Sequence, residues 1–200
     1  MHLLRRCACL VLLAVALPAT SLATLPPAVQ HYGPIAPAIG AKERPDPALH
    51  YRVVFNITRA DTSPDKANPS LEGVARFLNL LAADGVRPQP GDVVAVVHGP
   101  ATLAVLTDEA YSRHAGGMTI HNASLAWFEQ LLSSGGPGRN PNLPLIARLR
   151  AAGVTVSVCS QALHAQSIKA TEVAPGVRLD VSALTTLANL QLRGYALIPD

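Results

Sequence analysis

Aromatic side chains are scarce in this 200-residue chain: one Trp, four Tyr and three Phe amount to 4%. Charged residues reach only 14%, and the Lys and Arg side chains form no dense cluster. A nucleic-acid surface needs stacking rings among grouped cations, so it finds no support. No His/Cys set has the spacing of zinc ligands, and neither a Gly-x-Gly-x-x-Gly nor a Walker-type loop is present. Metal, dinucleotide and nucleoside-triphosphate chemistry are thereby left without a motif, and no cofactor is expected. Internal repeats at solenoid spacing are missing too. Seventeen prolines and fourteen glycines without a period exclude collagen-like repetition, and 49% hydrophobic residues are too many for a mostly disordered chain. The length suits one domain.

What is present begins with an export signal. Arg5 and Arg6 form a charged start, Cys7 to Leu17 an unbroken apolar run, and Pro18 ends it. Ser21-Leu22-Ala23 supplies the small residues that a signal peptidase needs, so residues 1–23 are expected to be removed. The apolar run is too short to span a bilayer, and no later stretch competes, so no membrane span is expected. The product would be periplasmic or secreted. Removing two arginines leaves 14 basic against 13 acidic residues, a nearly neutral chain. Cys7 and Cys9 leave with the signal, and one of the three cysteines remains. Cys159 is then an unpaired thiol in a compartment where disulfides form. It is buried, or pairs with another molecule, or reacts.

Residues 24–49 hold six prolines and no apolar period, and are expected to be an extended, poorly ordered leader. Beyond it, residues 50–200 alternate between strands and helices. Tyr51 to Thr58 is β-branched and aromatic, and Asp92 to His98 is a nearly continuous valine run of the kind covered on both faces. Asn68-Pro69 starts a helix that Gly85 stops; Thr102 to about Tyr111 and Pro144 to Ala152 are expected helices. Residues 116–140 carry little pattern beyond helical character at Ala126 to Leu132. Val154 to Val158 forms a strand ending at Cys159, followed by a short helix over Gln161 to Ile168. A strand near Val177 to Val181, a helix capped by Ser182 and a final strand at Tyr195 to Ile198 complete the chain. Strands joined through helices imply right-handed crossovers and a parallel sheet. The expected class is α/β, a flavodoxin-like three-layer α/β/α sandwich.

Ligands in such sheets bind beyond the carboxyl ends of the strands. Asn56, His98 and Cys159 sit at those ends, and Ser160 and Gln161 open the helix after the cysteine. A helix start stabilises a thiolate by about 0.3–1 kcal/mol, so a reactive Cys159 needs a second donor, for which His98 is the candidate. The competing reading makes Cys159 a small core hydrophobe and His98 a loop-satisfying side chain. Asn56-Ile-Thr58 and Asn122-Ala-Ser124 match the glycosylation triplet, which also arises by chance.

The stretches Val94 to Ala101, Pro141 to Ile146, Val158-Cys-Ser-Gln-Ala-Leu163 and Leu190-Gln-Leu-Arg-Gly-Tyr-Ala196 together resemble the DsrE/DsrF-like family, from about Tyr51 to Ile198. The resemblance points to an exported, single-cysteine subgroup. It implies a parallel α/β domain assembled as a homo-oligomer, a trimer or hexamer, and a cysteine that holds persulfide sulfur between a donor and an acceptor. Cys159 would be that residue, with His98 beside it. The alternative is a non-catalytic oligomeric binding domain with Cys159 in the core. A hydrolase using Cys159 as nucleophile and His98 as base would require a third, orienting residue.

Overall fold

The computed structural model describes residues 25–118 and 138–200. The expected signal at 1–23, the Asn122 triplet and the helical stretch at Ala126 to Leu132 lie outside the described residues. Five strands form one sheet: β1 (Val53–Ile57), β2 (Val93–Val97), β3 (Thr155–Cys159), β4 (Arg178–Asp180) and β5 (Ala196–Ile198). All pairings are parallel, and the order across the sheet is β4-β3-β2-β1-β5. This is the α/β, flavodoxin-like class expected from the alternation.

Local chemistry explains most helix ends. In α1 (Pro69–Ala83), the Asn68 carboxamide oxygen accepts from the amides of Ser70 and Leu71, while Pro69 has no N–H to satisfy. Gly85, at φ +79°, turns the chain away. The helix α3 (Leu143–Ala151) ends before Gly153, whose φ is +91°. There an added Cβ would meet the Pro90 backbone at 3.1 Å. The short α4 (Ser160–Ala165) follows Cys159 directly, and in α5 (Ala183–Leu192) the Ser182 hydroxyl accepts from the Leu184 amide.

Two expectations are corrected. The helix expected over Thr102 to Tyr111 is instead a 3-10 segment, Gly99–Val105, and a separate α2, Asp108–Met118. Leu106 between them is extended and fully buried, bridged to Val173, and the Thr107 hydroxyl accepts from Ala110 to start α2. Burial of Leu106 outweighs helix continuation. The leader, moreover, is not free of the domain. Val29 is 1% exposed, and Asn79 of α1 clasps the segment: its oxygen accepts from the Val29 amide, and its nitrogen donates to the carbonyls of Val29, Tyr32 and Gly33. Gly33, at φ +57°, approaches so closely that a Cβ would stand 2.2 Å from the Arg76 nitrogen of α1. Prolines prevent ladder pairing, but side-chain hydrogen bonds order this stretch all the same.

The two faces of the sheet differ. Val53, Phe55, Ile57, Ala95, Val97, Val156 and Val158 pack against α1, α3 and the 3-10 segment in the larger core. On the other face, Val54, Val94, Val96 and Cys159 form a smaller cluster with Ala183 and Leu190 of α5, with Ala162, Leu187 and Tyr195 packed partly buried against it. That thin cover leaves Val181, Leu184 and Leu192 at 74%, 80% and 87% exposure.

Candidate functional site

Strand register decides which side chains meet. Cys159 pairs with Asp180 across β3 and β4, and Val97 pairs with Val158 across β2 and β3. His98 follows Val97 in extended conformation, at φ −158° and ψ −179°, so it comes level with Cys159. Neighbouring strands lie about 4.8 Å apart, and alternate residues share a face. His98, Cys159 and Asp180 therefore form one row at the carboxyl edge, on the face covered by α5. Asn56 stands on the same face one row below.

Within this row the contacts are specific. His98 Nε2 lies 2.7 Å from the Asn56 carboxamide oxygen. An amide oxygen only accepts, so Nε2 carries the proton and, in the neutral ring, Nδ1 is the open acceptor. Burial lowers the His98 pKa below the ordinary imidazole value, and the Asp200 charge opposes this. The ring is accordingly neutral at pH 7, as a proton acceptor must be. Asn56, a strand-end candidate in the sequence, is thus the residue that orients the ring, a role without local signature because the two side chains meet only through strand pairing.

On the other flank, Asp180 is gripped by Arg178 through bonds of 2.7 and 2.9 Å and by the Thr186 hydroxyl of α5 at 3.1 Å. Burial raises its pKa, but the bonds from Arg178 and its neighbours outweigh this and hold the carboxyl below its usual range. The fork-like pairing with Arg178 offsets the negative charge beside the thiol. Alternation along a three-residue strand places Arg178 and Asp180 together, a signal present in the sequence but too short to read.

Cys159 itself is a free thiol, 5% exposed, among Val54, Val94, Val96, Ala183 and Leu190. It occupies the N-cap of α4, which runs six residues and stops at Ala165, short of Ile168. Ser160 is half-buried at the first turn of α4. Gln161 reaches the Val181 carbonyl at 3.4 Å, near the loop before α5, and is not drawn toward His98. A residue outside the expected set, Gln166, braces the turn after His98 by donating to the Gly99 carbonyl at 2.9 Å, which the Thr102 hydroxyl also reaches. Gly99 holds that turn at φ +56°. Among the described residues, no three His, Cys, Asp or Glu side chains converge into a metal-holding set.

A sequence profile of the DsrE/DsrF-like family matches residues 52–199, nearly all of the folded domain. The chain belongs to the DsrE/DsrF-like family. No curated protein matches it. Among solved structures it is similar to a protein of unknown function from Methanobacterium thermoautotrophicum, with 22% identity and a TM-score of 0.46. That likeness covers 75% of this chain and 99% of the other. Membership in the DsrE/DsrF-like family points to a sulfur-relay-related role. Among the described residues, no helix is long and apolar enough to cross a membrane.

Proposed function

We propose that this DsrE/DsrF-like domain handles sulfur through Cys159, as a persulfide carrier or a binder of a small sulfur species. The observation that carries the reading is the edge row itself, in which the thiol stands level with a neutral, Asn56-oriented histidine. In the transfer, the Cys159 thiolate attacks the terminal sulfur of a donor persulfide. The new Cys159 sulfur–sulfur bond forms as the donor's breaks, and the donor leaves as a thiolate. No oxidant is consumed. His98 takes the proton of the resting thiol and returns it to the departing thiolate. With Cys159 5% exposed, α5 has to shift for a donor to reach the sulfur.

Mass spectrometry after exposure to polysulfide tests this. The wild type should gain steps of about 32 Da, one sulfur atom each, and Cys159→Ser should gain none. No adduct under any donor defeats the reading. A second reading, a non-catalytic oligomeric binding domain, is favoured by the aliphatic enclosure of Cys159. It predicts that iodoacetamide modifies the thiol only after denaturation. Both readings include export, on the strength of residues 1–23, and self-association through the thinly covered α5 face.

A further inference from the structure

A second polar constellation lies at the same carboxyl edge, where β1 meets β5. The Asp200 side chain, two residues past β5, is 7% exposed. Its Oδ2 accepts from the Thr58 amide at 2.7 Å, the Thr58 hydroxyl at 3.0 Å and the Arg59 amide at 2.6 Å. Its Oδ1 accepts from the Ser70 hydroxyl, and the Arg59 guanidinium stands 3.6 Å away. Two successive backbone N–H groups and two hydroxyls thus converge on one carboxylate, with a guanidinium beside it, and together they form an anion cradle. These donors are distinct from the first amides of α1, which Asn68 already occupies.

Topology places this cradle where a ligand belongs. From β1 the chain winds in one direction through β2, β3 and β4. It then returns beneath the sheet through α5 to lay β5 on the other side of β1. The β1–β5 junction is therefore where the winding reverses, and crevices at such reversals are the usual ligand sites of open parallel sheets. A cavity of 370 Å³ opens there, with Asn56, Arg59, Ser70, Arg76 and Asp200 among its lining. Two guanidinium groups border it against one carboxylate. A carboxylate held by backbone amides in a cationic crevice has the chemistry of a bound anion.

We propose that the Thr58–Arg59–Ser70 cradle is a binding site for a small oxyanion, sulfate-like or carboxylate, and that Asp200 is its tethered occupant. A free anion enters by displacing the Asp200 side chain, so the intact protein binds more weakly than the cradle would alone. This does not rest on Cys159 carrying sulfur.

Calorimetric titration of sulfate, and separately of acetate, into the full chain tests it. Removing the tethered competitor with Asp200→Ala should tighten binding of at least one anion about tenfold or more, since the competent state is no longer a minor fraction. Adding Ser70→Ala should then weaken that binding about tenfold. Tightening for sulfate alone would identify a sulfate-shaped ligand, and for acetate alone a carboxylate. Equal affinity in wild type and Asp200→Ala, or binding indifferent to Ser70→Ala, overturns the proposal. Circular dichroism checks the fold, and Asp200→Ser, whose shorter side chain also vacates the cradle, provides the same comparison should the alanine variant unfold.

Discussion

The imidazole of His98 reaches diagonally from β2 to the Asn56 carboxamide on β1, 2.7 Å away, and this bond sets which ring nitrogen is bare. Burial keeps the ring neutral, with the Asp200 charge working in the opposite direction. A titration followed by NMR should find His98 below the ordinary value of ~6.5, and Asp200→Asn should lower it further. The folded state then binds fewer protons than the unfolded chain at mildly acid pH. Stability should therefore hold above about pH 6.5 and decline as the pH falls below it. His98→Gln should flatten that decline. A His98 pKa above that of a free imidazole would contradict the burial account.

Asp61 anchors the loop after β1. It accepts from Asn68 at 2.9 Å, Asn142 at 3.0 Å and the Tyr111 hydroxyl at 3.1 Å, and burial raises its pKa despite those bonds. Each buried donor left unpaired costs about 1–3 kcal/mol, so Asp61→Ala should lose at least ~2 kcal/mol in urea unfolding. The sign of the pH effect is opposite to that of an ion-paired acid. The folded protein holds this proton more tightly, so the Asp61 contribution shrinks as pH rises from ~3.9 through the raised folded value. An Asp61→Ala variant as stable as wild type would show that the network is idle.

The docking of the leader depends on Asn79. Asn79→Ala removes four hydrogen bonds to residues 29–33 at once. Limited proteolysis should then cut near Tyr32 at least several-fold faster, with the sheet domain intact. Gly33→Ala should act in the same direction through collision with α1. Unchanged cleavage in both variants would mean that the leader is held by something else.

Self-association is checked on the exposed face of α5. Charging it with Leu184→Asp and Leu192→Asp should shift the particle mass in light scattering from oligomer to monomer, because isolated apolar side chains at 80% and 87% exposure are stabilised by burial against a partner. A monomeric wild type, or an oligomer that tolerates both charges, removes this face as the interface.

Much of the fold was legible because its causes are local. The Asn68-Pro69 start, the Ser182 cap, the glycines after α1 and α3 and the valine run of β2 each act within a few residues. Alternation of strands and helices then implied a parallel sheet. His98 and Cys159 were legible as strand-end residues for the same reason. The alternation did not reveal the order β4-β3-β2-β1-β5, nor did helical propensity reveal the extended Leu106, which burial dictates.

The chain's own pattern thus determined its class, most of its element types and the strand-end place of Cys159, since hydrophobic periodicity and caps are written in neighbouring residues. Only tertiary structure decided that Asn56 orients His98, that Asp180 flanks Cys159 and that Asp200 fills the cradle beside Ser70. Those relationships join residues from some twenty to well over a hundred positions apart. Register and strand order create them, and no local preference encodes either.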